Sequence, residues 1–528
     1  IRATATYNTS INNTHILNFF GGFENSSIDR TRSWFRGWGY QYDKGGTPFY
    51  DYNVFKQGKE ENTNYYTNEA ANTRSVAFFV MGTYSYEGKY TLTGTGRYEG
   101  TNRLGKSRSA RWLPTWNIAG AWNVHEEKFY SNFSHPVLSH ATLKASYSLT
   151  ADRGPAFVTN SQTILNSYSP WRPSASVTES GMRITELENS ELTYEKKHEF
   201  NVGVDLGFLH NRINLAADYY RRNNFDLIGV INTQGAGGTI AKYANIASMR
   251  SSGIELTLST QNIKKKGFSW NTDFIFSKTK NEITDLKSHA NVLDLISGNG
   301  FGREGYPVRA LFSIPFAGLT EDGLPTFINQ DGQRTISTLN FQEYEKLGFL
   351  KYEGPTDPTI TGSFGNILTY KNFKLNVFLT YSFGNVIRLD PVFSSAYSDL
   401  DAMPKEFKNR WMKAGDENTT NIPTIVSYRM NQQYAYLNMA YNAYNYSDVR
   451  IADGGFIRLK EISLSYDLPA KVLNFFRLNK LQFKIQATNL FLLYADSKLN
   501  GQDPEFFRSG GVSTPVPRQF TFTIRLGL

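Results

Sequence analysis

Hydrophobic and polar positions alternate one for one along most of this chain, the period of a strand with two unlike faces. Between positions 75 and 86, Val76, Phe78, Val80, Tyr84 and Tyr86 share one face, and Ala77, Met81, Thr83 and Ser85 share the other. A Glu87-Gly88-Lys89 turn follows, after which Tyr90 and Leu92 oppose Thr91, Thr93, Thr95, Arg97 and Glu99. Two alternating runs joined by a tight glycine turn predict a hairpin. The pattern returns at Trp116, Ile118, Trp122 and Val124, and at Leu143, Ala145, Tyr147 and Leu149. It returns again at Phe200 to Phe208, Phe268 to Phe276, Phe373 to Tyr381 and Phe520 to Leu528.

About fifteen such segments are expected, each of about 9–13 residues, the length that crosses a bilayer at a tilt. Strands of soluble sandwiches are usually about 5–6 residues long. The second face of these segments carries Lys, Asp, Glu, Asn and Arg strand after strand. A polar face inside and an apolar, aromatic face outside describe a water-filled membrane barrel. No fixed sequence repeat is visible, which argues against a solenoid, and tandem soluble sandwiches are the other reading set aside.

Connection lengths carry a second signal, because outer-membrane barrels have short periplasmic turns and long extracellular loops. Short connections fall near 9–13, 87–89, 125–136, 209–211, 261–267, 371–372 and 468–479; long ones fall near 25–74, 151–196, 223–246, 280–359, 384–452 and 492–518. The 100–111 loop is of middling length. Alternation of direction requires an even number of crossings between Lys280 and Thr359. That stretch is read as one large extracellular excursion with its own hairpin near Tyr306–Phe316, two further strands being the alternative. Short helices are expected at Glu126–Phe133, and at Met403–Lys413, where Pro404 sits at a helix start and Gly415 just beyond the end.

Composition narrows the picture further. The 528 residues include 38 Phe, 32 Tyr and 8 Trp, far too many large rings for a disordered chain. Cysteine is absent, which excludes disulfide scaffolds, thiolate metal sites and cysteine nucleophiles. Apolar runs such as Val76–Met81 are far below the roughly 18–20 residues of a membrane helix. The net charge is +9. The basic residues are mostly scattered, with Lys264, Lys265 and Lys266 as the densest cluster, in an expected turn. Nucleic acid is therefore not expected as a partner. The first residues, Ile1-Arg2-Ala3-Thr4, lack a Met and an apolar leader and read as mid-strand, so the chain is expected to begin inside a larger protein.

Motifs of chemistry are few. There is no His-Glu-x-x-His, no Gly-x-Ser-x-Gly and no phosphate-binding Walker loop. Gly300-Phe301-Gly302-Arg303-Glu304-Gly305 matches a dinucleotide fingerprint by letter alone, since no parallel strand precedes it and no helix follows. Asp322-Gly323 and Asp331-Gly332 are turn pairs without calcium-loop spacing. Asp399 and Asp401 read as a solvated loop tip. No catalysis, cofactor or metal site is expected.

Aromatic loops are the stronger candidates. The 32–52 loop carries Trp34, Phe35, Trp38, Tyr40, Tyr42, Phe49, Tyr50 and Tyr52 among glycines and charges. Flat rings there suit stacking on sugars or holding peptide side chains. The competing reading packs them structurally over a barrel mouth. Trp34, Trp38, Tyr40 and Tyr42 are taken as the candidate substrate-binding residues. Tyr434, Tyr436, Tyr441, Tyr444 and Tyr446 form a second run, read mainly as structural. Trp112, Trp116, Trp122, Trp270, Tyr370 and Tyr381 fit a girdle at the lipid interface.

Several segments resemble the SusC/RagA-type TonB-dependent transporters. Asn409-Arg410-Trp411, Gly415-Asp416 and Ile422-Pro423 resemble that family's Arg-Trp…Gly-Asp…Ile-Pro loop. The stretch from Asp453-Gly454-Gly455-Phe456-Ile457-Arg458-Leu459-Lys460 to Tyr466-Asp467-Leu468-Pro469 resembles its Asp-Gly-Ser-Phe/Tyr-Leu-Arg-Leu-Lys…Leu-Pro block, with Gly455 in place of Ser. Asn489-Leu490-Phe491 and Gly501-Gln502-Asp503-Pro504-Glu505 resemble its Asn-Leu-Phe and Gly-x-Asp-Pro-Glu segments. Further matches lie at 74–100, at 113–129 and at Gly305-Tyr306-Pro307, and Leu528 ends the chain where the family commonly has an aromatic.

The resemblance implies an all-β, transmembrane antiparallel β-barrel of 22 strands in the full protein. Residues 1–528 would be its C-terminal part, with the N-terminal plug domain and first strands absent from this chain. It also implies active import of oligosaccharides or oligopeptides across the bacterial outer membrane. The implied partners are a SusD-like surface lipoprotein, TonB-ExbB-ExbD acting through the missing part, and outer-membrane lipid. A passive porin-like channel and a surface adhesin are the alternatives.

Overall fold

The computed structural model describes residues 1–48, 51–61, 63, 65–132, 137–155, 163–168, 180–233, 235, 241–391, 403–434, 436–507 and 514–527. Phe49, Tyr50, Phe133, Asp399, Asp401 and Leu528, named above, lie outside them. Among the described residues no helix is long and apolar enough to cross a membrane.

Among the described residues one antiparallel sheet of fifteen strands dominates, in line with the about fifteen segments the alternation implies, and its spatial order is the order of the chain. The first six strands are β1 (Arg2–Ile11), β2 (His15–Phe35), β3 (Tyr66–Tyr86), β4 (Tyr90–Thr101), β5 (Trp112–Asn123) and β6 (Leu138–Asp152). Next come β7 (Glu195–Phe208), β8 (Ile213–Asn232), β9 (Ala241–Lys265) and β10 (Phe268–Leu286). The last five are β11 (Ile360–Tyr370), β12 (Phe373–Phe383), β13 (Phe456–Asp467), β14 (Lys480–Ala495) and β15 (Gln519–Gly527). Contacts divide the chain into two compact units, one of Ile1–Gly120, Tyr147–His198 and Asn224–Ala247, the other of Ala121–Ser146, Glu199–Asn223 and Ser248–Leu528.

In the first unit the register converts the sequence alternation into two faces. Phe23 pairs with Phe78 and Phe78 with Tyr98; Leu17 pairs with Tyr84 and Tyr84 with Leu92. The Phe23 and Phe78 rings meet at 5.2 Å, a cross-strand pair of the kind worth roughly 0.2–1 kcal/mol. Phe78, Val80 and Leu92 are each more than half exposed. An apolar row left open to solvent is a liability in water and a lipid-facing surface in a bilayer. One residue over, Thr83 lies opposite Thr93 with their hydroxyls 3.2 Å apart, and Glu24, Ala77 and Glu99 stand in one row.

Strands outrun the expected 9–13 residues. β2 and β3 have 21 residues each and β9 has 25. β2 and β3 stay paired, without a bulge, from His15↔Tyr86 to Phe35↔Tyr66, whereas β4 leaves β3 at Ser75↔Thr101. Much of the expected 25–74 loop is therefore ribbon. The reason is local: Ser26 to Phe35 and Tyr66 to Arg74 hold no Gly or Pro to break the pairing, so the ladder keeps satisfying backbone groups along the whole ribbon.

In the second unit β10 pairs directly with β11, from Phe268↔Tyr370 to Lys278↔Ile360. The 280–359 stretch therefore adds no strand to the sheet, in line with a single excursion. Its internal pairing differs from the expected 306–316 hairpin: Ala310–Ser313 pairs with Lys351–Pro355, and Phe316–Leu319, Pro325–Ile328 and Arg334–Thr335 make a three-stranded sheet. The preference for long-range partners follows from burial, because Phe312, Ile314 and Phe327 are all within 1% of full burial in one core with Leu295, Ile296 and Tyr444. At Met403–Lys413 only a 3-10 turn forms, Lys405–Asn409, since Trp411 N–H bonds to Ile422 O and leads the chain away. At 126–133 a 3-10 turn (Val124–Glu126) precedes a short helix (Lys128–Asn132).

Candidate functional site

The four candidate rings sit at the far end of the β2–β3 ribbon, within the first unit. Trp34 keeps the parity of Glu24 and so lies on the polar face of β2, 36% exposed, with Arg36 stacked over it at 5.8 Å. Trp38 packs edge-on against Phe55 at 5.4 Å, on the helix Tyr52–Glu60. Gly58 lets it approach, since a Cβ there would lie 2.8 Å from Trp38 Cζ2. Tyr40 and Tyr42 meet each other at 4.8 Å, and Tyr42 is 85% exposed. The rings thus form three separate packings, and the Tyr40–Tyr42 pair is the most open to a ligand.

Beneath the ribbon the polar face carries a charge array. Arg97 donates through Nε and Nη2 to Glu99 Oε2, at 2.8 and 2.6 Å, and through Nη1 to Glu24 at 3.2 Å. Arg153 Nε donates to the other Glu99 oxygen at 2.8 Å. Arg103 Nη2 donates to Pro155 O at 2.8 Å, and its buried Nε has no protein partner. Two arginines thus fork onto one carboxylate, a geometry that fixes the side chains.

In the second unit the excursion and the 403–450 stretch form a body with its own core. The charged and aromatic chemistry there is structural. Arg388 donates Nη2 to Phe312 O at 2.6 Å, Nε to Ile296 O at 3.0 Å and Nη1 to Ser447 O at 3.1 Å. One guanidinium so ties a strand, a helix end and a turn together. Arg450 does the same with Glu406 at 2.7 Å and Asp390 O at 2.6 Å. Trp411 Nε1 donates to Glu417 at 3.0 Å, and Asp416 accepts from the Met412 and Lys413 N–H groups, so the Arg-Trp…Gly-Asp…Ile-Pro motif closes on itself. Burial pushes the Glu353 carboxyl up and the Tyr444 hydroxyl up to about 12, and raises Tyr441 as well.

The second tyrosine run divides. Tyr441 and Tyr444 are 1% exposed and belong to the core, whereas Tyr436 is 70% exposed. Tyr434 donates to Asp322 at 3.0 Å. Of the expected girdle, Trp116 meets Tyr147 at 5.5 Å, Trp270 Nε1 donates to Asn366 at 2.8 Å, and Tyr370 is 57% exposed.

Sequence reasoning quoted Arg458 and Asp503 as parts of two motifs and gave neither a role. They pair at 2.7 Å, with Glu505 at 3.0 Å from the same nitrogen. Arg458 forms one wall of a cavity of 610 Å³ with Asn489, Asp503, Tyr494, Phe506 and Phe507. That is the size range of small-ligand sites, and its rings and amides suit a sugar or amino-acid unit. A second, shallower hollow of 790 Å³ lies among Leu319, Glu321, Arg334 and Glu417. Among the described residues no three His, Asp or Glu side chains converge on a metal position.

Comparison with known proteins places this architecture. The family described as "TonB dependent receptor-like, beta-barrel" matches residues 1–490. The chain is 25% identical over 463 residues to TonB-dependent receptor P3 of Formosa agariphila, covering 83% of this chain and 42% of that protein. It is 26% identical over 489 residues to TonB-dependent receptor SusC of Bacteroides thetaiotaomicron, covering 86% and 43%. The structure of the RagAB peptide transporter superposes with a TM-score of 0.77 at 20% identity, over 100% of this chain and 55% of that one. The chain spans about half the length of the curated relatives it matches. It belongs to the TonB-dependent receptor β-barrel family and is an outer-membrane protein.

Proposed function

We propose that this chain is the C-terminal part of the barrel of an active importer, strands eight to twenty-two of twenty-two, whose plug and first strands lie upstream. The cargo is an oligosaccharide or an oligopeptide, the energy comes through TonB-ExbB-ExbD, and a SusD-like lipoprotein covers the extracellular face. The observation that carries this reading is the match to the receptor barrel family over residues 1–490, joined to fifteen strands with one polar face. The likeness to a peptide transporter supports the oligopeptide class, and the resemblance of the sequence motifs implies both. Binding rather than bond chemistry fits the site, with Trp34, Trp38, Tyr40 and Tyr42 presenting rings and the Glu24–Arg97–Glu99–Arg153 array presenting polar groups below.

The test is uptake by a deletion strain carrying the whole gene, with and without TonB. Uptake of an oligosaccharide or peptide that vanishes without TonB supports the reading. Uptake indifferent to TonB indicates a porin, and cell-surface binding without uptake indicates an adhesin.

A further inference from the structure

Most basic residues are scattered among acids, but the net charge of +9 is not spread evenly. Three short turns carry most of it. Segment 262–268 holds Lys264, Lys265 and Lys266, segment 370–373 holds Lys371, and segment 468–480 holds Lys471, Arg477 and Lys480, with no acid in any of them. The short turns at 11–14, 87–89, 124–132 and 209–212 hold Glu87, Glu126 and Glu127 against Lys89, Lys128 and Arg212, which cancel.

The three basic turns, all in the second unit, form a continuous hydrogen-bonded rim. Lys371 N–H donates to Gly267 O at 2.7 Å, and Asp467 N–H to Asn372 O at 2.9 Å. Leu468 N–H donates to Leu481 O at 3.0 Å, and Asn479 N–H to Gly527 O at 2.9 Å. All seven cations are exposed. Between them stand rings left largely open: Tyr370 at 57%, Phe373 at 47%, Phe475 at 81% and Phe476 at 59% exposed, with Tyr466 against Phe373 and Lys371 over Tyr370. Phe475 and Phe476 end the helix Ala470–Phe475, which turns immediately after β13, and their rings lie edge to face at 5.1 Å. The helix is held in place, since Leu478 N–H bonds back to Leu473 O at 2.9 Å.

We propose that this rim binds anionic phospholipid of the periplasm-facing leaflet, the Phe475–Phe476 pair dipping into the acyl region while the lysines and Arg477 hold the headgroup phosphates. The occupant follows from three features together. Exposed aromatics at the end of lipid-facing strands mark the interface depth. Basic side chains without acids select an anionic surface. A short turn that sets two exposed rings between Lys471 and Arg477 brings apolar and cationic groups to the interface together. The inference rests on the barrel reading, which puts the short turns on the periplasmic side.

The experiment uses the whole receptor. Native mass spectrometry after addition of an equal mixture of phosphatidylglycerol and phosphatidylethanolamine reads bound lipid. In parallel, a Phe475→Cys variant with an environment-sensitive dye is placed in vesicles of the same mixture. The expected result is a preference for phosphatidylglycerol of about fivefold or more, lost when Lys264, Lys265, Lys266, Lys471 and Arg477 are replaced by Ser, together with an apolar dye environment. Equal binding of the two lipids, an unchanged preference in the Ser variant, a water-exposed dye, or full displacement by lipid A overturns the proposal. Uptake by the unaltered receptor is measured alongside: no uptake with the lipid preference intact counts against the import reading instead, so the two fail separately.

Discussion

Arg458 Nη2 donates to Asp503 at 2.7 Å, with the two side chains 6% and 9% exposed, and so joins the Asp-Gly-Gly-Phe-Ile-Arg stretch to Gly-Gln-Asp-Pro-Glu across 45 residues of sequence. Asp453, at the start of the first stretch, donates its N–H to Asp496 at 2.8 Å, and Asp503 also accepts the Glu505 N–H at 3.1 Å. The two motifs are one device that fixes the chain where β13 begins and the loop after β14 turns.

Breaking that pair leaves a buried charge alone. Arg458→Ala or Asp503→Asn is expected to cost about 3–5 kcal/mol, whereas replacing both partners by apolar residues costs less. Denaturant unfolding of the purified receptor in detergent checks this; equal losses in single and double variants contradict it.

Arg388 should matter as much to the loop body as any core ring. Its guanidinium satisfies the carbonyls of Ile296, Phe312 and Ser447, and hydrogen bonds to a charged group contribute about 1.5–3 kcal/mol each, not additively. Arg388→Met is expected to open the 287–355 and 403–450 stretches to limited proteolysis while the strands of the sheet stay protected.

Alkaline stability should report the buried tyrosines. The Tyr444 hydroxyl, pushed up to about 12 chiefly by burial, stays protonated in the fold at pH values where the unfolded chain ionises. The fold then binds more protons than the unfolded state, so stability is complete below about pH 10 and falls as pH rises toward about 12, by roughly 1.4 kcal/mol per unit for each such group. Tyr441 is raised in the same direction by burial alone. Tyrosinate absorbance followed with unfolding checks this, and Tyr444→Phe should flatten part of the slope.

The ribbon aromatics should separate into packing and binding roles. Trp38→Ala removes the partner of Phe55 and is expected to loosen the helix Tyr52–Glu60, seen as new proteolytic cleavage there. Tyr40→Ala with Tyr42→Ala is expected to leave cleavage unchanged and to weaken cargo affinity about tenfold, in the range that loss of ring stacking produces. Unchanged affinity in a variant with all four rings replaced would remove them from the binding surface.

Parity of direction allowed only an even number of crossings between Lys280 and Thr359, and period-two alternation made about fifteen strands legible in the sequence, because each strand's two faces are written in neighbouring residues. The extra length of β2, β3 and β9 was not, since the alternation that ends at a membrane boundary and the ladder that continues past it obey different rules: the first is set by lipid, the second by backbone pairing. Tyr436, Tyr441 and Tyr444 look alike along the chain, yet two are core and one is surface, because burial depends on what other segments bring against them. The pairing of Arg458 with Asp503 and the reach of Arg388 to three carbonyls were likewise silent in the sequence. Local chemistry determines which face a residue takes; only the folded chain decides which distant residue meets it there.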